Sequence, residues 1–253
     1  MNQKKPQTVV ITGSTRGIGK AIALRLAQEQ YNVVLNYAAD DALAQETLKL
    51  CQQVNTNVLL VKADVSNKRA VELLMQETFE RFHSLDVLIN NAARVVDKPL
   101  HDMTEEDWDR VVDTNMKGTF FCSQVASSYM LQQDDGGTIL NIGAPTGIRG
   151  RKNGINTCVS KAGVMVMTLC LALELGPKIR VNTIIPGLTR TDETVERLHL
   201  DDPAVLRARE EMIPLKRIGT PEDVANVVTL LLSNEARFIN GQKIFVDGGQ
   251  YMG

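Results

Sequence analysis

The stretch Thr8-Val9-Val10-Ile11-Thr12-Gly13-Ser14-Thr15-Arg16-Gly17-Ile18-Gly19 decides the fold. It opens on a β-branched run and passes through a glycine-rich turn. From Lys20 to Ala27 apolar residues then recur at helical spacing, so the whole reads as strand, turn and helix. A turn of this kind lets backbone N–H groups approach a pyrophosphate, and the helix N-terminus adds partial positive charge. The spacing is Gly-x-x-x-Gly-x-Gly rather than the general Gly-x-Gly-x-x-Gly, and three glycines alone could simply close a tight loop. Their place after the first strand, with a βαβ unit following, favours a dinucleotide.

Working outward, further short β-rich runs follow at Val33–Asn36, Val58–Val61, Val87–Asn90, Thr138–Asn141, Val181–Ile185 and Ile244–Val246, separated by longer amphipathic stretches. This alternation predicts an α/β fold, a doubly wound parallel sheet with helices on both faces. Local helix-start signals support it: Ser66 before Asn67–Phe82, Thr104 with Asp107 three residues on, and Thr220-Pro221-Glu222-Asp223. No repeat or linker-like shift divides the chain, so one domain over residues 1–253 is expected. The segment 187–213 has no clear pattern and is expected to be a loop serving as a substrate lid.

Composition narrows the function. With 28 basic and 30 acidic side chains the net charge is −2, which argues against a charge-driven nucleic-acid or membrane-surface binder. The polar start, with Lys4, Lys5 and Pro6, leads only into a short apolar run, so a soluble cytosolic protein with no membrane span is expected. Cys51, Cys122, Cys158 and Cys170 show no C-x-x-C spacing and read as buried free thiols. His83, His101 and His199 are isolated, which predicts no metal site.

In dinucleotide sites an acidic residue closing the second strand accepts the ribose 2′-hydroxyl of NAD. Here that strand closes with Asn36-Tyr37, and Asp40 and Asp41 come slightly later than that role requires. Arg16 in the glycine loop could pair with a 2′-phosphate or merely face solvent. NADPH is therefore the predicted cofactor.

These residues, with Asp64-Val65, Asn90-Asn91-Ala92, Asn115, Asn141-Ile142, Lys161, Pro186-Gly187, Thr191 and the terminal Val246-Asp247-Gly248-Gly249, carry a resemblance. In order and spacing the chain resembles the short-chain dehydrogenase/reductase superfamily over its whole length. It looks most like the 3-oxoacyl-[acyl-carrier-protein] reductase branch. The resemblance implies a seven-stranded Rossmann-type sheet, NAD(P)(H) use and a homotetramer acting on a small molecule. It also implies cofactor contacts from Gly13, Thr15, Arg16, Gly17, Ile18, Gly19, Asn36, Asp64, Val65, Asn90, Ala92, Pro186, Gly187 and Thr191. Asp64 and Asn90 are expected by the adenosine half, Lys161 at the nicotinamide ribose, and Asn115 among the catalytic residues.

The match fails at the family's two catalytic hydroxyls. Counting from Lys161 puts Thr157 at the Tyr position and Ala144 at the Ser position, while the family's Asn-Asn-Ala-Gly turn ends here in Ala93. Hydride addition to a ketone leaves an alkoxide that must be protonated, and a positioned general acid is worth roughly 10²–10⁴-fold. Thr157 is a poor acid, and none of Tyr31, Tyr37, Tyr129 and Tyr251 stands near Lys161 in sequence. The position seven before Lys161, where the enoyl-reductase variant carries its Tyr, holds Gly154. Thr146 could donate to a substrate oxygen but reads more simply as satisfying local backbone groups. A water held between Thr157 and Lys161 stays open. Met165, Met167 and Met212 could line an apolar pocket or belong to the core, and the arginines of the 187–213 segment could meet an anionic carrier or face solvent. Three functions remain: an NADPH-dependent reductase of an activated substrate such as a conjugated enone or iminium, a slow ketoreductase using water and Lys161, and a catalytically silent subunit or sensor.

Overall fold

The computed structural model describes residues 6–251; Lys4 and Lys5 of the polar start lie outside them. Seven strands form one parallel sheet: β1 (Thr8–Ile11), β2 (Asn32–Tyr37), β3 (Val58–Lys62), β4 (Val87–Asn90), β5 (Gly137–Ile142), β6 (Ile179–Pro186) and β7 (Lys243–Val246). Their order is β3-β2-β1-β4-β5-β6-β7. The chain works outward from β1 in one direction and then from β4 in the other. Loops leaving the carboxyl ends of these two neighbours therefore diverge, and a crevice opens between them. The expected doubly wound Rossmann-type architecture is what the structure has.

Both faces of the sheet are buried along its central strands, so successive residues there alternate between two apolar layers rather than between core and water; the edge strands β3 and β7 are only partly covered. Val9, Ile11, Val33 and Leu35 pack with α1 (Gly17–Gln28) and, further along the chain, with Val224 and Val228 of the last long helix. Val10, Val34, Leu88 and Ile139 face the opposite layer. That layer includes Leu74 and Met75 of α3 (Lys68–Phe82) and Cys122, Ala126 and Met130 of α5 (Gly118–Met130). The shorter α2 (Asp41–Gln52) and α4 (Glu105–Val112) flank these, and a π-helical turn, Asp113–Lys117, joins α4 to α5. After β5 come the one-turn α6 (Thr146–Arg149) and the long α7 (Ile155–Leu175). Two short helices, α8 (Asp192–Leu198) and α9 (Pro203–Glu211), precede α10 (Pro221–Leu232).

Several sequence expectations change. The segment 187–213 is no loop. Thr191 and Thr194 form a reciprocal cap that starts α8, and the Asp202 carboxylate caps α9 with Pro203 in its first turn. These helices are mostly polar and anchor only through the small cluster Leu200, Ile213 and Ile218, so their periodicity is faint. The cap of α3 is Asn67, whose side chain accepts from Ala70 N, while the Ser66 hydroxyl donates to Asp64 instead. Helix α1 begins at Gly17, one turn earlier than its apolar spacing showed. Cys51 and Cys122 are buried, but Cys158 is half-buried and Cys170 exposed.

Among the described residues, one helix, α7, is long and apolar enough to cross a membrane by length and composition. Here it packs against β6 and buries Asn156, Thr157, Ser160, Lys161 and Thr168, a polar row no lipid-facing helix would carry.

Candidate active site

The crevice is held open by backbone and amide groups. Gly13 and Gly17 adopt φ of +60° and +53°, where a side chain is strained. A Cβ on Gly13 would come within 2.8 Å of the Ala92 Cα, and one on Gly19 would strike the Gly13 carbonyl and the Asn91 amide. The Thr12 hydroxyl accepts from the N–H groups of Asn91 and Ala92, at 3.0 Å each, and the Asn91 amide donates to the carbonyls of Thr12 and Gly13. Asn91 thus fastens the turn after β4 to the turn after β1. The sequence reading missed this role; its signal is the second Asn of Asn90-Asn91, one residue past the strand.

Asn36 is buried and its amide is spent on protein partners: Oδ1 accepts from Gly13 N at 3.3 Å, and Nδ2 donates to Ala63 O at 2.9 Å. It shapes the glycine loop from below instead of offering a free group. Asp41 comes slightly late in the chain for the strand-closing role, yet its carboxylate accepts from the Tyr37 hydroxyl at 2.8 Å, at the very end of β2. The first turn of α2 folds back over the strand end, a contact that counting residues cannot show.

Helix α1 has no side-chain cap and no acidic residue in its first turn; α5, α6 and α7 share this, while α2, α3, α4, α8, α9 and α10 are capped by a side chain. Its leading N–H groups and the exposed Arg16 at the N-cap suit an anion. Gly17 lies against Thr191, where a Cβ would meet Cγ2 at 3.3 Å. Thr15 is buried, its carbonyl accepting from Thr47, and Ile18 packs on the core beneath. These residues fit a dinucleotide phosphate: the cradle is sterically closed to anything larger than glycine, and no side chain caps the start of α1.

Toward the other end, Asp64 binds Ser66 through Oδ1 and faces Arg94 at 4.0 Å, and Val65 packs on Gly118. Asn90 donates to Asn141 at 2.8 Å and to Ser123 at 3.1 Å, and Asn141 donates on to Thr168. Asn115, in the π-helical turn, pairs its amide with both backbone groups of Arg94 and donates to Ser160 Oγ at 3.1 Å. That bond ties the turn to α7 one residue before Lys161. Pro186 closes β6, and Gly187 abuts Asp247 so closely that a Cβ could not fit.

Lys161 is buried, and its ammonium donates to the Ile142 carbonyl at 2.6 Å. Burial pushes its pKa down to about 8. The turn 142–147 follows its side chain: Ile142 holds Nζ, and Gly147 touches the backbone of Lys161 and Ala162. Thr157 sits one turn earlier on α7, buried, with its hydroxyl 3.4 Å from Asn156 Oδ1 and its N–H at 2.7 Å from the same atom. Ala144 is half-buried at the head of the turn. The Thr146 hydroxyl, expected to satisfy local backbone, is buried with no hydrogen-bond partner among the described residues. Of the methionines, Met165 is core and touches Gly147, while Met212 is two-thirds exposed. Among the arginines of 187–213, Arg197 pairs with Glu193 and all four, Arg190, Arg197, Arg207 and Arg209, face solvent. Tyr251, remote in sequence, lies under the Arg149 guanidinium at 5.1 Å, at the end of the same turn. No cluster of His, Cys, Asp and Glu suited to a metal occurs among the described residues.

A doubly wound sheet with a phosphate cradle at its switch point defines a dinucleotide-binding protein. Comparison with known proteins makes this specific. Residues 13–250 match a family model described as enoyl-(acyl carrier protein) reductase. The chain is 38% identical over 245 residues to glucose 1-dehydrogenase 2 of Bacillus subtilis, covering 96% of this chain and 94% of that protein. It is also 38% identical over 253 residues to the 3-oxoacyl-[acyl-carrier-protein] reductase FabG of Staphylococcus aureus, covering 98% and 100%. A solved structure of a putative short-chain alcohol dehydrogenase from Sinorhizobium meliloti superposes with a TM-score of 0.90 at 32% identity, covering 98% and 97%. The chain belongs to the short-chain dehydrogenase/reductase family, and it is an oxidoreductase of the type of these relatives.

Proposed function

We propose that the protein is an NADPH-dependent reductase whose proton-donating side chains have been lost, acting on a substrate that needs little acid help, such as a conjugated enone or an iminium. The observation that carries this is the pairing of a closed glycine cradle with a buried Lys161 that has Thr157 one helical turn before it and Ala144 in the turn after the strand whose Ile142 carbonyl takes its ammonium. When bound, NADPH supplies hydride. The chain's own part begins with the glycine loop and the start of α1, which take the pyrophosphate, and Arg16, which pairs with the 2′-phosphate. Asp64, Val65, Asn90 and Ala92 line the adenosine side. Asn36 shapes the loop, Pro186, Gly187 and Thr191 border the far end, and Lys161 holds the nicotinamide ribose. Asn115 fixes the π-helical turn against α7. Segment 187–213 covers the substrate as two capped helices rather than a loop.

A second reading, slow ketone reduction through water, is favoured by one observation. The buried Thr146 hydroxyl, one residue before the Gly147 that abuts Lys161, has no partner among the described residues, and burial holds the Lys161 pKa down to about 8, a value suited to proton delivery near neutral pH. The assembly we propose is a cytosolic homotetramer. Its support is the outer face of α7, where Ile155, Val159, Val166, Leu169 and Leu173 stand exposed at spacings of three, four and seven, an apolar seam suited to a second copy of the helix.

The test is a titration with NADPH and NADH beside an NADPH-oxidation screen over ketone, enone and iminium substrates. Tighter NADPH binding with turnover of enone or iminium is the expected result. Binding without any turnover would identify a silent subunit or sensor, and fast ketone turnover would overturn the proposal.

A further inference from the structure

The carboxyl ends of β2 and β3 carry a cluster that the glycine loop does not use. Tyr37 and Lys62 are register partners there. The Tyr37 hydroxyl donates to Asp41 Oδ1 at 2.8 Å, the Lys62 ammonium donates to Asp41 Oδ1 and Oδ2 at 2.9 and 3.0 Å, and the same ammonium lies 5.7 Å from the centre of the Tyr37 ring. These bonds lower the pKa of Asp41 and raise that of Lys62, so both stay charged through the physiological range. Asp40, next to them, is occupied in capping Leu43.

A strand end in this position is where a dinucleotide presents its ribose 2′ group. An acidic residue there selects NAD, and a basic one accommodates the 2′-phosphate of NADP. This strand end carries both signs. Without Lys62, the two aspartates would outweigh Arg16, and a phosphate bearing more than one negative charge would be repelled. The Asp41–Lys62 pair is more than half exposed on both sides, and ion pairs in that setting are weak and easily exchanged.

Resting on the NADPH reading above, we infer that Tyr37, Asp41 and Lys62 form the nucleotide selector: Lys62 turns from Asp41 to the 2′-phosphate and binds it together with Arg16, while Asp41 is the internal counter-ion that the phosphate displaces. Lys62 is a binding residue and Asp41 a competitor. Removing one must therefore act in the opposite sense to removing the other.

The experiment is equilibrium titration of the full chain with NADPH and NADH, and with 2′-AMP and 5′-AMP as probes of the phosphate alone, for the native protein, Lys62→Met and Asp41→Asn. Melting curves check that each variant is folded. Lys62→Met should weaken NADPH and 2′-AMP about tenfold and leave NADH and 5′-AMP within twofold. Asp41→Asn should tighten NADPH and 2′-AMP several-fold, more so at low salt. Parallel changes in both nucleotides, or no change on Lys62→Met in a protein that natively prefers NADPH, overturn the selector while leaving the NADPH reading intact. A native protein that binds NADH as well or better overturns both, and the unmodified chain alone reveals it.

Discussion

Two regions of the same sheet edge are built to different standards. Around the glycine loop Thr12, Asn36, Asn90, Asn91 and Asn141 form hydrogen bonds of 2.8 to 3.4 Å. On the Lys161 side, Lys161, Asn115 and Ser160 are partnered, but the two hydroxyls nearest the family's catalytic positions are not held: Thr146 Oγ1 has no partner among the described residues and Thr157 Oγ1 only a 3.4 Å contact. Cofactor binding rests on backbone shape and amides, whereas proton delivery rests on one or two hydroxyls. The first can persist intact when the second is gone, because among the described residues no hydrogen bond joins the Thr157 side chain directly to the glycine loop.

The largest expected effect tests this separation directly. Ala144→Ser combined with Thr157→Tyr should raise the kcat for NADPH-dependent reduction of a 3-oxoacyl thioester by a factor on the order of 10² or more. NADPH affinity should stay near native. The gain should exceed the combined effects of the single changes, since both groups act on one oxygen. Steady-state kinetics of the four proteins measure it. Rapid ketone reduction by the native chain would show another acid at work, with Tyr251 beside Arg149 the first to examine.

A smaller effect separates the regions by pH. Folded, Lys161 releases its proton near pH 8, and unfolded near 10.5. Between those values the unfolded chain binds more proton, so the Lys161 contribution to stability rises with pH across that window, by up to about 3 kcal/mol. Below pH 8 the buried charge exerts its full cost. Lys161→Met should flatten the rise in melting temperature between pH 8 and 10 relative to native protein. Identical pH profiles would mean that the ammonium is better solvated than its burial indicates.

Much of this was legible in the sequence. The strands read clearly because each run is almost wholly apolar, and the central ones are buried on both faces; α4 and α10 announced themselves through Thr104/Asp107 and Thr220/Asp223. What stayed hidden depends on contacts between elements. Asp41 reaches Tyr37 only because α2 turns back over β2. Asn67 took the cap from Ser66 because the serine hydroxyl found Asp64 first. Helices α8 and α9 lack an apolar stripe, so their caps were the only signal, and Thr191 was read for the cofactor before its role as a cap could be seen.

The smallest expected effect contrasts two helix starts. Thr220 and Asp223 satisfy each other's backbone N–H groups at the start of α10, with Pro221 in the first turn, whereas α1 begins at Arg16 with nothing in that role. Thr220→Ala should cost about 1 kcal/mol of stability, the same with or without NADPH, because that end serves only the fold. Arg16→Asp should do the reverse in the free protein, adding several tenths of a kcal/mol by capping α1 and complementing its dipole. It should also place a carboxylate where a phosphate belongs. The melting shift produced by NADPH, which grows as RT ln(1 + [L]/Kd), should therefore shrink or vanish in Arg16→Asp and remain whole in Thr220→Ala. Melting curves of both variants with and without NADPH measure all four quantities. An undiminished shift in Arg16→Asp would mean that the open start of α1 is not where the anion binds, and the contrast between the two helix ends would lose its functional meaning.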